Sequence, residues 1–205
     1  MIKTIVFDLG GVIVTISQEQ AVERFREIGL KDAGKHLDPY TQKGIFGDLE
    51  EGLITEEQFR DELSKLCGKE VTMDECLYAW TGYAKEVPTR NLRKLEELRQ
   101  RGYRVLLLSN TNPFMQKWAN GDNFSELGKP LYSYFDEHYV SYEMRMMKPS
   151  EEIFRTLLMK EKVLPQDVLF VDDGARNVAA ASELGIHTFR PVNGEDWTEE
   201  IEKYL

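Results

Sequence analysis

Four short stretches of this 205-residue chain carry side chains that could do chemistry together. Thr4-Ile5-Val6-Phe7-Asp8-Leu9-Gly10-Gly11 is an apolar run that ends in a carboxylate and two glycines. Arg104-Val-Leu-Leu-Leu-Ser109 runs into Asn110 and Thr111, Lys148-Pro149 precedes a helix start, and Val168-Leu-Phe-Val171 ends in Asp172-Asp173. Each stretch alone has a plainer reading, as a strand end, a surface lysine or a helix cap. Together they specify a site. Carboxylates gathered in one crevice repel each other and need a cation. A hard divalent ion with oxygen ligands fits, and magnesium uses few carboxylates while keeping several waters. Asp8, the backbone carbonyl of Gly10 and the Asp172-Asp173 pair supply those oxygens. Consecutive strand residues face opposite ways, so one aspartate of the pair binds directly, Asp173 by preference, and the other supports it.

An aspartate attacking a phosphate dianion meets like-charge repulsion. At ~4 Å each charge pair costs roughly 1 kcal/mol in water and about 4 kcal/mol at an intermediate dielectric. The metal and Lys148 offset that cost. Ser109 and the amides of Asn110 and Thr111 bind phosphoryl oxygens. Asp8 is then the nucleophile and Lys148 an electrostatic clamp. Asn177, one turn into the next helix, orients Asp172 or Asp173. Gly10 and Gly11 let the backbone turn sharply and let a ligand come close.

For these groups to meet, their strands must end at one edge of a parallel sheet, where open α/β sheets bind ligands. The chain supports that. After Pro88, helices and strands alternate: a helix over Thr89 to Gln100, the strand into Ser109, a helix capped by Asn112 and opened by Pro113, and a weak strand over Phe135 to Ser141. Next come a helix capped by Ser150, the strand into Asp172, a helix over Ala175 to Leu184 closed by Gly185, a short strand over Ile186 to Arg190, and a terminal helix from Asp196. Between Thr15 and Pro88 the pattern is helical, with no strand. Gln18 to Ile28 places Ala21, Val22, Phe25 and Ile28 near one face before Gly29. Thr55 and Thr72 open capping boxes, the first followed by Phe59, Leu63 and Leu66 at helical spacing. For Trp80 and Tyr83, core packing is the preferred reading of at least one. The predicted fold is therefore α/β, a doubly wound parallel sheet formed by residues 1–14 and 89–205, with residues 15–88 as an inserted α-helical cap.

Composition narrows the partners. The chain is 41% hydrophobic and 30% charged, with a formal net charge of −10. That balance argues against nucleic acid or an anionic membrane surface, both of which need basic stripes. It is compatible with a small anionic substrate in a locally cationic cleft. Cys67 and Cys76 form no disulfide framework, and no Cys/His cluster suggests zinc. With no signal-peptide pattern and no membrane-length apolar run, a cytoplasmic protein is expected.

The motifs FDLGGV (Phe7–Val12), LLSNT (Leu107–Thr111), Lys148-Pro149 and FVDD (Phe170–Asp173) together resemble the haloacid dehalogenase superfamily across essentially the whole chain. Ser109–Asn112 and DDGARN (Asp172–Asn177) are similar to the glucose-1-phosphate phosphatases and the phosphatase domain of soluble epoxide hydrolases. The resemblance implies a Rossmann-like core, a helical cap, and magnesium-dependent hydrolysis of a small phosphorylated metabolite, a sugar phosphate for instance, through an aspartyl-phosphate on Asp8. One position departs: Gly10 stands where most such phosphatases carry a second aspartate that moves protons. Losing a general acid typically costs about 10²–10⁴-fold. Gly10 therefore favours a substrate with a good leaving group, such as a sugar 1-phosphate. It also keeps two alternatives open, a 2-haloacid dehalogenase acting on carbon and a non-catalytic binder of a phosphorylated ligand or partner. Cap residues at the entrance would choose the substrate, with Gly47 to Gly52 and the surroundings of Trp80 as candidates.

Overall fold

The computed structural model describes residues 1–37 and 43–205, so positions 38–42 of the expected cap lie outside the described residues. From β1 (Thr4–Phe7) the chain passes through a two-residue strand, β2 (Thr15–Ile16), into a helical segment with five α-helices among the described residues. These are α1 (Gln18–Glu27), α2 (Ala33–His36), α3 (Ile45–Glu50), α4 (Glu56–Cys67) and α5 (Met73–Trp80). It returns along β3 (Ala84–Glu86). Then follow α6 (Thr89–Gln100), β4 (Arg104–Ser109), α7 (Pro113–Ala119), β5 (Glu137–Val140), α8 (Ser141–Met144), α9 (Glu151–Glu161), β6 (Val168–Val171), α10 (Ala175–Glu183) and β7 (His187–Phe189).

The main sheet is parallel, in the order β5-β4-β1-β6-β7. Phe7 lies beside Leu107 on one neighbour and Val171 on the other, so β1 and β6 end level while β4 runs on to Ser109. The chain builds outward from β1 first through β4 and β5, then in the opposite direction through β6 and β7. That reversal opens a crevice beyond the carboxyl end of β1. Both faces of the sheet are covered, which is why its strands read as unbroken apolar runs. Ile5, Phe7, Val105, Leu107, Leu169 and Val171 pack on Leu92, Leu95 and Leu98 of α6 and on Trp197. Val6, Leu106, Leu108, Val168 and Phe170 pack on Ile153, Phe154 and Leu157 of α9.

The helices between β2 and β3 form a cluster of their own. Phe25, Phe46, Phe59 and Trp80 meet through ring contacts of 5.2–5.7 Å. Phe114 of α7 joins them, 5.9 Å from Phe59, and so ties this segment to the sheet domain. Thr55 and Thr72 form the two capping boxes, while Asn112 and Ser150 cap α7 and α9 with their side chains.

Three expectations are corrected. The stretch from Thr15 to Pro88 does contain strand: β2 and β3 pair antiparallel as a ribbon where the chain leaves and re-enters the sheet domain. Two and three residues are too few to show alternation. Leu66 is 48% exposed, because the buried face of α4 runs through Phe59 and Leu63 and turns away from it. No α-helix starts at Asp196. Its carboxylate accepts from the Thr198 amide and hydroxyl, and a 3-10 turn over Glu200–Tyr204 follows. Among the described residues, no helix is long and apolar enough to cross a membrane.

Candidate active site

Asp8 is the first residue past β1, and its amide still donates to the Val171 carbonyl at 2.9 Å. Its Oδ1 accepts from the Leu9 amide at 2.7 Å and lies 2.9 Å from Lys148 Nζ. The Lys148 side chain is 1% exposed. Its ammonium also donates to Asp172 Oδ2 at 2.6 Å and to the Leu108 carbonyl at 2.9 Å. Burial disfavours that charge, yet Asp172 and Asp8 more than offset it and hold the lysine above its ordinary pKa.

Both aspartates lie just past β6, and their carboxylates differ in what they bond. Asp172 is fully buried and its carboxylate is committed: besides Lys148, it accepts from the Gly174 amide at 2.7 Å and from Asn177 Nδ2 at 3.1 Å. Asp173 is also buried, but its Oδ2 has no hydrogen-bond partner among the described residues. Gly11 explains how that carboxylate fits. It has φ 77°, and a Cβ there would lie 2.2 Å from Asp173 Oδ2.

Oxygens of Asp8, Asp172 and Asp173 lie within 4.8 Å of one another. The Lys148 ammonium pairs directly with two of them, Asp8 and Asp172. Burial, followed by repulsion from Asp8 and Asp172, raises Asp173 to about 7. Burial raises Asp8 to about 6, with Lys148 opposing it. An unpaired buried oxygen within an excess of carboxylates is what a hard cation would neutralise.

The other expected residues converge on this cavity with distinct contacts. Ser109 is buried, and its hydroxyl reaches only the Asn110 carbonyl at 3.4 Å. The Asn110 carboxamide grips the Lys148 backbone at both ends, donating to its carbonyl at 2.8 Å and accepting from its amide at 2.9 Å. The Thr111 amide donates to Ser141 Oγ at 2.9 Å, and its hydroxyl accepts from Gln116. Asn110 and Thr111 thus tie together the loops that carry the chemistry, leaving Ser109 as the freer group. Gly10 lines the cavity outside the left-handed region of backbone space, with Ile16 Cγ2 3.3 Å from where a Cβ would stand.

The sequence points to the surroundings of Glu50 and Trp80 without singling out a group there, and it does not point to Asn91 or Trp197 at all. The cavity, of about 100 Å³, is also lined by Glu50, Trp80 and Tyr83 from the helical segment. Glu50 is 8% exposed. Burial raises its carboxyl to about 8; an amide from Asn112 pulls the other way, and Asp8 adds to the rise. The window Gly47 to Gly52 contained it, but nothing in the sequence separates Glu50 from Glu51. Trp80 Nε1 is buried without a hydrogen-bond partner. Behind the nucleophile, Asn91 donates to the Val12 and Ile13 carbonyls at 2.9 and 3.1 Å, and Trp197 Nε1 to Val12 at 2.8 Å. These bonds pin the loop that follows Asp8.

Residues 2–185 match the family model described as haloacid dehalogenase-like hydrolase. A D-ribitol-5-phosphate phosphatase from Bacteroides thetaiotaomicron is 49% identical over 201 residues, spanning 98% of this chain and 97% of that protein. A predicted HAD-like family hydrolase from Porphyromonas gingivalis superposes with a TM-score of 0.95 at 42% identity, covering 100% of this chain and 98% of the other. A HAD family enzyme from Bacteroides thetaiotaomicron, solved in complex with magnesium and inorganic phosphate, gives 0.88 at 37% identity over 98% and 99% of the two chains.

Proposed function

The chain belongs to the haloacid dehalogenase-like hydrolases, and from that membership we propose that it is a phosphatase acting on the phosphate ester of a small polyol or sugar. The observation that carries this reading is Asp8 at the sheet's switch point, 2.9 Å from a buried lysine and beside the unpaired carboxylate of Asp173. Asp8 attacks phosphorus, and the P–O bond to the alcohol breaks as the aspartyl-phosphate forms. Water then attacks that phosphorus, releasing inorganic phosphate and restoring the carboxylate. Lys148 counters the charge of the incoming phosphoryl group, and the Ser109 hydroxyl offers a donor to one of its oxygens. Magnesium suits the donor set. Asp8, Asp173 and the Gly10 carbonyl would hold it, with Asp172 supporting from behind, and it would supply Lewis-acid neutralisation of the phosphoryl charge.

Residues 15–88 act as the cap and carry the specificity. Glu50, Trp80 and Tyr83 line the same cavity as Asp8 and bring polar groups to it. The relative's named substrate is a polyol phosphorylated on a primary carbon, which supports a polyol or open-chain sugar phosphate here. Phosphate release should be measured over a panel of pentitol phosphates, D-ribitol 5-phosphate among them, and sugar 1- and 6-phosphates with magnesium chloride. A polyol phosphate is expected to give the highest kcat/KM. EDTA should abolish turnover, magnesium should restore it, and Asp8→Asn should remove it while the protein stays folded. Turnover by folded Asp8→Asn would sink the covalent route. Metal-free release of halide from 2-chloropropionate would restore the dehalogenase alternative.

A further inference from the structure

A primary alkoxide leaves phosphorus poorly unless it is protonated as it departs, and Gly10 has no side chain with which to do it. The other groups near Asp8 are occupied. Lys148 is bound to two carboxylates and a carbonyl, Asp172 is saturated, and Asp173 is assigned to the cation. Glu50 is different. It ends α3, lines the same cavity as Asp8 and is more than nine-tenths buried. The Asn112 carboxamide nitrogen approaches it without completing a hydrogen bond, and no lysine or arginine among the described residues forms an ion pair with it. The turn that follows is seated on the sheet domain: Gly52, at φ 71°, lies so close to Tyr142 that a Cβ would come within 2.0 Å of its carbonyl oxygen.

We propose that Glu50, reaching in from the helical segment, is the general acid and base of this site in place of a carboxyl at position 10. The proposal rests on the phosphatase reading above. As Asp8 Oδ forms its bond to phosphorus and the ester P–O bond breaks, the Glu50 carboxyl gives its proton to the departing alkoxide, leaving the alcohol and a Glu50 carboxylate. In the second half that carboxylate takes a proton from the water attacking the aspartyl-phosphate. The P–O bond to Asp8 breaks, and phosphate, the Asp8 carboxylate and the Glu50 acid result. Burial favours the protonated form of this carboxyl, the state a proton donor must start in. Because the acid sits on the helical segment, proton transfer requires that segment to be seated over Asp8.

The experiment compares kcat/KM for p-nitrophenyl phosphate, propyl phosphate and a pentitol phosphate in wild type, Glu50→Gln, and Glu50→Gln combined with Gly10→Asp. The aryl ester needs no acid, and the propyl ester has no hydroxyl to recognise. Glu50→Gln is expected to raise the aryl-to-propyl ratio on the order of 10²-fold or more, the range for loss of a general acid. Gly10→Asp is expected to recover part of the loss, because a Cβ there meets no backbone atom and a single side-chain methyl, Ile16 Cγ2 at 3.3 Å, which must give by a few tenths of an ångström. Equal losses on the aryl and propyl esters, or a loss confined to the pentitol ester, would overturn the role. If Glu50→Gln does not fold, wild type decides: a shallow dependence of kcat/KM on leaving-group pKa supports the proposal, and a steep one overturns it. Wild-type turnover of the aryl ester, removed by Asp8→Asn, tests the phosphatase reading separately. Its absence would overturn that reading and the acid–base role with it.

Discussion

The paired glycines after Asp8 are not equivalent. Gly11 sits in the left-handed region with Asp173 where its Cβ would be, whereas Gly10 has ordinary backbone and a single contact at 3.3 Å. Gly11→Ala therefore combines backbone strain of about 1–3 kcal/mol with a clash that displaces a proposed metal ligand. It is expected to weaken magnesium binding about 10–100-fold by isothermal titration, the range for a disturbed ligand environment. Gly10→Ala should leave magnesium affinity near wild type. Unchanged affinity in folded Gly11→Ala would place the cation away from Asp173. The same local view explains why Asn110 matters although its carboxamide is committed to the Lys148 backbone. Two hydrogen bonds to the Lys148 backbone fix the loop that aims the ammonium.

Among the secondary-structure elements, α3 is short but supplies the buried carboxyl of the cavity. Its residues Phe46 and Leu49 enter the aromatic cluster, its last residue enters the cavity, and Gly52 packs on Tyr142 just beyond it. Gly52→Ala adds a methyl against a backbone carbonyl, in a conformation that disfavours it. The end of α3 must then lift from the core. The expected result is a melting temperature lower by about 2–4 °C per kcal/mol lost, with alkyl-ester turnover falling more than aryl-ester turnover, since Glu50 moves with the helix end. Wild-type melting and turnover in this variant would show that the contact does not position α3.

For the molecule as a whole, the C-terminal turn is held to α6 by charge. Glu202 meets Arg101 through both oxygens, at 2.6 and 3.0 Å, and Lys94 at 2.6 Å. Arg101 and then Lys94 depress its pKa from 4.5 to about 2. A carboxyl lowered in the folded state contributes stability that is complete above its ordinary pKa and is lost as pH falls toward the folded value. The group is 35% exposed, so screening limits the contribution to about 1 kcal/mol. Urea unfolding should show Glu202→Gln less stable by that amount near neutral pH, with the gap shrinking below pH 4.5. A gap unchanged toward about pH 3 would assign the effect to packing. Trp197, in the same C-terminal region, donates its indole N–H to the Val12 carbonyl behind Asp8.

Residue order alone carried the main architecture. A strand buried on both faces must be written as a continuous apolar run, and its end as a break into polar residues and glycine. Hence Asp8, Ser109 and Asp172-Asp173 could be placed at one sheet edge without coordinates, and capping boxes marked α4 and α5 by local hydrogen bonding alone. Tertiary structure decided what depends on distant partners. Asp172 and Asp173 are adjacent and chemically identical, and only the positions of Lys148, Asn177 and Gly11 make one saturated and the other free. Asn91 and Trp197 serve the Asp8 loop from 79 and 185 residues away. Glu50 and Glu51 read alike in a chain rich in acidic residues, and burial separates them because the packing of the helical segment onto the sheet domain turns one of them into the cavity. Local sequence records the period of an element, whereas the environment of a single carboxyl is set by every element that packs around it.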